Sequence, residues 1–131
     1  MAPAPSSLIL PDLFSISSPF HDTTNPFWKR AVPEARRWVI DYEILADRPL
    51  AVFFQCQNEL LISHCYPFAT NYDEFRTCCD FNNLLFILDE ITDQQCPDDA
   101  RKSGDIFVQA LRDPTCFDGS GIARMTAEWV Y

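Results

Sequence analysis

Glycine is scarce in this chain, with three in 131 residues, and histidine scarcer still, with two. Basic residues are also few, ten lysines and arginines against nineteen aspartates and glutamates. So little glycine, with few runs of strict apolar–polar alternation, argues against a hairpin-rich sheet and for helices. The formal charge of −9 leaves no basic footprint for nucleic acid. It equally leaves no lysine and arginine cluster for an anionic membrane surface. The cysteines at 56, 65, 78, 79, 96 and 116 show no C-x-x-C pairing, so a zinc site of the usual spacing is absent. No segment approaches the roughly 18–20 apolar residues of a membrane span. The opening MAPAPSSLIL has neither the basic start nor the apolar length of a secretory signal. The expectation is a soluble, cytoplasmic protein whose cysteines stay reduced and mostly pack.

What is abundant is apolar and aromatic surface, 47% and 14% of the residues, enough for a folded unit about one domain in size. Residues 1–25, rich in proline and serine, read as an extended N-terminal arm. Residues 26–131 read as a succession of helices, giving an all-α fold. Asn25-Pro26 supplies a cap and a first-turn proline for a helix running toward Leu45, which Pro33 either shortens or kinks. A second helix is predicted from Pro49 to about Ser63, ending before Tyr66-Pro67. The third, from about Tyr72 to Gln95, is apolar almost all round and so is expected to be enclosed by others. A fourth opens at Pro97-Asp98-Asp99 and runs to about Leu111, and a fifth begins near Ile122 and is still running at Tyr131. With no helix-ending signal there, the chain is expected to be the front portion of a longer helical protein.

The end of the third helix carries the chemistry. Asp89-Glu90-Ile91-Thr92-Asp93 follows the apolar run Leu84 to Leu88. Asp89 and Asp93, one turn apart, share a face with Cβ atoms about 5–6 Å from each other, where like charges repel. A hard divalent cation with oxygen ligands would offset that repulsion. An acidic, solvated helix end is the plain alternative, and an EF-hand loop is excluded by the missing glycine and ligand spacing. On the same side as Asp89 lie Phe86, one turn before it, and Asn82, two turns before it.

Several stretches together resemble fungal class I sesquiterpene synthases, especially those of basidiomycetes. They are Asn25-Pro26, Trp38, Asn58-Glu-Leu-Leu61, Tyr66-Pro67, Phe75-Arg-Thr-Cys-Cys-Asp-Phe81, Asn83-Leu-Leu-Phe86, Leu88-Asp-Glu-Ile-Thr-Asp93, Asp99-Ala-Arg101, Ile106-Phe107 and Asp113-Pro114. The resemblance covers most of the chain from about residue 11. It implies a helical bundle around an apolar cavity, with the acidic motif at its mouth binding Mg²⁺ on the diphosphate of farnesyl diphosphate, which the enzyme ionises and cyclises. By resemblance Asp89 is the first metal ligand, Asp93 the second, and Glu90, about 100° round the helix, a supporting member. Phe86 is a candidate cavity wall, with an ordinary core role as the alternative. Asn82 departs from the family, which usually has an apolar residue there, and either tunes the cavity or bonds to a neighbouring helix.

The resemblance also implies a second metal motif, a diphosphate-sensing arginine and an Arg-Tyr pair, all beyond residue 131. The chain alone is therefore expected not to turn over substrate. A chain-elongating prenyltransferase is the rival enzyme, though a paired Asp-Asp start and a basic patch are missing. A non-catalytic helical interaction module is the rival of another class.

Overall fold

The computed structural model describes residues 10–19, 22–115 and 118–130. Among the described residues there are helices and no strand: α1 (Leu13–Ser17), α2 (Trp28–Asp41), α3 (Asp47–Gln55), α4 (Asn58–Cys65), α5 (Tyr72–Thr92), α6 (Pro97–Arg112) and α7 (Gly121–Val130). The fold is all-α, as expected, and none of these helices is long and apolar enough to cross a membrane.

The longest helix, α5, organises the rest by packing against α2, α4, α6 and α7. Its start is chemically specified. Asn71 Oδ1 accepts from the Glu74 amide at 2.9 Å, while Glu74 Oε2 accepts from the Thr70 amide at 3.0 Å, a reciprocal cap of orphan donors. The Thr70 amide bond is the main reason the Glu74 carboxyl lies below its ordinary range. Two apolar clusters sit along α5. Phe75 and Cys79 pack with Ala31, Ala35 and Ile62. Leu84 and Ile87 pack with Val39, Tyr42, Leu45, Phe53, Ile122 and Met125. Full burial of side chains such as Phe75, Leu84 and Ile87 contributes about 1.5–3 kcal/mol each.

The expectation that α5 is enclosed all round holds for one side only. Phe75, Cys79, Asn83, Leu84 and Ile87 are buried, while Asn82, Leu85 and Phe86 are half-buried and Asp89, Glu90 and Asp93 exposed. The helices of this chain cover one flank of α5 and leave the flank that leads to the acidic motif open.

Four local departures from the sequence reading have physical causes. The stretch read as an extended arm contains the short helix α1, capped by Asp12 Oδ1 accepting from the Ser15 amide at 3.1 Å, with no residue buried. Asn25 is not the cap of α2. It is fully buried and works as a clasp: its Nδ2 donates to Tyr66 O (3.0 Å) and Ala69 O (3.2 Å), and its Oδ1 accepts from the Phe27 amide (3.0 Å). Pro33 lies inside α2 without ending it. The carbonyl that a proline deprives of its amide partner is that of Lys29, four residues back, on an exposed residue.

The predicted helix from Pro49 to Ser63 is two helices, parted at Gln57, whose φ of 52° and ψ of 48° are left-handed. On one straight helix Phe53 and Ile62, nine residues apart, would point about 180° from each other. The break lets Phe53 enter one cluster and Ile62 the other. No glycine or proline marks it in the sequence.

Before α7 the chain bends at Gly119, whose φ is 82°. A Cβ on Gly121 would stand 2.7 Å from Ile44 Cγ1, so the glycine lets α7 begin against that side chain. At the other end of α7, the Glu128 carboxylate accepts from both Trp38 Nε1 (3.1 Å) and the Tyr42 hydroxyl. Burial, then the bond to Glu128, pushes the Tyr42 hydroxyl pKa upward.

Candidate functional site

The acidic motif occupies the end of α5 where charge is least welcome. Asp89 and Glu90 lie in the last turns, and Asp93 is the C-cap, still in helical conformation at φ −61° and ψ −24°. A helix C-terminus carries partial negative charge, so carboxylates there are destabilising and cations stabilising. α6 follows that rule, with Asp98 and Asp99 in its first turn and Arg112 in its last, and α5 itself starts with Asp73 and Glu74, whereas α2 ends on Asp41 and α7 carries Glu128 in its last turn. At the end of α5 a bound cation would offset that cost, and a solvated acidic end is the plain alternative.

The three carboxylates differ in how they are occupied. Glu90 accepts from Gln94 Nε2 at 3.1 Å, and Gln94 also reaches the Glu90 carbonyl at 3.2 Å. The side chains of Asp89 and Asp93 take no hydrogen bond or ion pair among the described residues; around them only backbone groups are used, as in Thr92 Oγ1 donating to the Asp89 carbonyl at 3.1 Å. Two uncommitted carboxylates thus stand one turn apart, with the third tied along the helix.

Beside Asp89 the surface is concave. A groove of about 310 Å³ runs between α5 and the α3–α4 pair, lined by Val52, Phe53, Cys56, Asn58, Leu61, Phe86, Asp89 and Glu90. Phe86 contributes to the wall. Asp93 lies beyond the lining, one turn further out on the same helix face. Asn82 is not among the lining residues; its Nδ2 donates to the Cys78 carbonyl at 2.8 Å, so the amide is satisfied within α5 itself. The structure brings Asp89, Glu90 and Phe86 together and sets Asp93 and Asn82 at either side.

The facing wall was not assigned from the sequence. Val52, Phe53 and Leu61 supply it, together with Asn58, which is nine-tenths buried. Asn58 and Leu61 fell in a stretch that carries the resemblance, but no periodicity points them at the groove, because the break at Gln57 resets the helical phase. Asn58 belongs to a buried polar chain. Its Nδ2 donates to Asn83 Oδ1 (3.4 Å), Asn83 Nδ2 donates to Glu59 Oε1 (3.5 Å), and Arg36 Nε stands 3.7 Å from Glu59 Oε2. Arg36 Nη2 also donates to the Phe54 carbonyl at 3.0 Å. Glu59 and Asn83 are almost wholly buried, so each needs these partners.

Other reactive groups stay apart from the groove. Cys79 is fully buried and its thiol is pushed up to about 12, chiefly by burial. Cys56, Cys65, Cys78, Cys79 and Cys96 are unpaired thiols, but the expectation that they mostly pack does not hold: Cys56, Cys65 and Cys96 are exposed at or near helix ends, and Cys116 lies outside the described residues. Arg76 and Asp80, one turn apart, form an ion pair, half-buried, on the flank of α5. His64 Nδ1 stands 2.8 Å from Asp22 Oδ1. No group of three or more His, Cys, Asp or Glu side chains converges among the described residues. A metal at Asp89 and Asp93 would therefore be held sparsely, with water and ligand oxygens filling its shell. That is how Mg²⁺ is usually bound, and two free carboxylates fit it.

No family model matches the chain. Curated relatives do. A Coprinopsis cinerea protein named linoleate 10R-lipoxygenase COP4 is 52% identical over 98% of this chain and 37% of its own length. The bifunctional terpene synthase Agr4 of Cyclocybe aegerita is 46% identical over 98% of this chain and 37% of its own. A Δ6-protoilludene synthase of Stereum hirsutum is 33% identical over 86% of this chain and 30% of its own. The chain spans little more than a third of the relatives it matches best. Over most of its length the chain is similar to about a third of each of these basidiomycete terpene synthases.

Proposed function

We propose that this chain supplies the metal- and diphosphate-binding edge, and one wall of the hydrocarbon cavity, of a sesquiterpene synthase that ionises and cyclises farnesyl diphosphate. The observation that carries the proposal is the junction at Asp89: an uncommitted carboxylate on the rim of a groove whose wall is Phe86, Val52, Phe53 and Leu61. Asp89 and Asp93 would hold Mg²⁺, with Glu90 in support. When bound, the ion neutralises the diphosphate and stabilises it as a leaving group.

This chain's own groups do the rest. The exposed acidic end of α5 fixes where the diphosphate sits, and the groove beside it receives the start of the prenyl chain. Apolar walls exclude water, which would otherwise trap a cation, and the faces of Phe53 and Phe86 can stabilise positive charge by cation–π attraction. Two open features agree with a site completed by further helices. The groove between α5 and the α3–α4 pair is open to solvent, and the flank of α5 leading to it is uncovered.

The test is to incubate the full gene product carrying this sequence with farnesyl diphosphate and Mg²⁺, with and without isopentenyl diphosphate. Cyclic hydrocarbon supports the proposal, and lengthened diphosphates would replace it with chain elongation. No product with farnesyl diphosphate, alongside conversion of linoleate, would overturn it in favour of the activity in the Coprinopsis relative's name. Loss of product in Asp89→Ala, with the fold intact, ties the reaction to this groove.

A further inference from the structure

The buried chain from Arg36 to Asn58 has a direction, and chemistry fixes it. Glu59 as a carboxylate only accepts, so Asn83 must turn its NH₂ toward Glu59 and its oxygen toward Asn58. Asn58 must then donate through Nδ2. Its carbonyl oxygen is left over, without a protein partner among the described residues, in a nine-tenths-buried side chain that lines the groove. Arg36 at the far end anchors the carboxylate. The two amide dipoles therefore lie head to tail, negative ends toward the groove.

The groove gives that oxygen nothing to accept from. Its other polar lining groups are the Asp89 and Glu90 carboxylates, which are acceptors, and the Cys56 thiol, which is 3.5 Å from its own helix carbonyl at Val52. Asn58 Oδ1 is not among the buried side-chain atoms left without a partner, so it is open to whatever fills the groove, and three acceptors on one groove suit an occupant bearing positive charge. An amide oxygen has a property a carboxylate lacks: it stabilises a cation by its dipole but is too weak a base to remove a proton from it. Glu59, which could act as a base, is held one step behind and engaged by Arg36 and Asn83.

We propose that Asn58 is a catalytic residue of this groove, a fixed non-basic carbonyl dipole that stabilises positive charge on the bound hydrocarbon, and that Asn83 and Glu59 are positioning residues that set its orientation. This rests on the function proposed above. The same oxygen could instead accept from a water on the metal held by Asp89, and the experiment separates the two sources of charge.

The full gene product is compared with Asn58→Leu, which keeps the bulk and deletes the dipole, and Glu59→Gln, which no longer dictates the direction of the chain and lets Asn58 rotate. The readouts are product ratio, melting temperature, and Mg²⁺-dependent binding of inorganic pyrophosphate. The expected result is a several-fold shift of Asn58→Leu toward products released early in the cation sequence. A smaller shift the same way is expected for Glu59→Gln, and pyrophosphate binding should not change. A several-fold weakening of pyrophosphate binding with the product ratio unchanged assigns the dipole to the hydrated metal and overturns its role on the hydrocarbon. Variants that melt lower but keep both product ratio and pyrophosphate binding also overturn the proposal, because a structural role alone predicts that. If Asn58→Leu does not fold, Glu59→Gln decides on the same two readouts. Wild-type protein that makes no product from farnesyl diphosphate defeats the functional reading, and this inference with it. Active wild type with indifferent variants defeats this inference alone.

Discussion

Asp89→Asn is expected to make the metal-free protein more stable while removing its response to metal and diphosphate. The structure sets both signs. Asp89 takes no partner among the described residues, lies in the last turns of α5, and faces Asp93 one turn on. Removing a negative charge near a helix C-terminus returns about 0.3–1 kcal/mol, and relieving a like-charged i,i+4 pair adds a few tenths. Solvent and salt screen both, so about 0.5–1 kcal/mol is expected at low ionic strength, less as salt is raised. For a protein larger than this chain that amounts to a rise of roughly 1–3 °C in melting temperature. Mg²⁺ with inorganic pyrophosphate should raise the melting temperature of the wild type through ligand linkage and leave the variant unmoved. Thermal melts of the full gene product, with and without the ligand pair and at two salt concentrations, read all of this. Glu90→Gln serves as the comparison: it shares the helix-end gain and keeps an acceptor for Gln94, so it should also melt slightly higher but keep its response to Mg²⁺ and pyrophosphate. If Asp89→Asn melts lower than wild type in the absence of metal, the carboxylate has a favourable protein partner and the reasoning fails.

Asn25→Ala strands the Ala69 carbonyl and the Phe27 amide and takes one of two donors from the Tyr66 carbonyl, which keeps the Ala69 amide. At about 1–3 kcal/mol per buried unsatisfied group, discounted for relaxation, the expected loss is about 3 kcal/mol by denaturant titration, against under 1 kcal/mol for Asp12→Ala on exposed α1. Thiol labelling of the native protein, mapped by peptide, should modify exposed Cys56, Cys65 and Cys96 and spare Cys79, whose thiol stays protonated; rapid labelling of Cys79 would contradict its packing. Leu84→Ala should cost about 2–5 kcal/mol, the range for emptying a fully buried leucine site. The 131-residue chain by itself is expected to yield no hydrocarbon from farnesyl diphosphate, and detectable product would refute the need for the rest of the bundle.

The sequence showed the helix content and the acidic motif because both are written locally. The apolar run ending in Asp89 and Asp93, the Asn71 cap of α5 and the proline start of α6 need no knowledge of neighbours. The facing wall of the groove was not legible, for an identifiable reason. Gln57 adopts a left-handed conformation that its own chemistry does not favour, and the cause is tertiary: Phe53 and Ile62 serve different apolar clusters. The same limit applies to Asn25, a good cap by type, which instead binds two carbonyls more than 40 residues away. Asn82 and Asn58 make the point as a pair. The residue singled out for its unusual polarity satisfies itself inside its helix, while the one facing the groove could be found only from coordinates.

The left-handed joint between α3 and α4 also bears on how such a cavity could diversify. Adding or deleting one residue there would turn everything after it by about 100°, swinging Asn58 and Leu61 away and presenting a new set of side chains to the prenyl chain. Asp89 and Asp93, on another helix, would keep their places. Substrate capture and the shape of the mould would then change independently, so a lineage could sample new carbon skeletons by small length changes at this joint without relearning how to hold pyrophosphate.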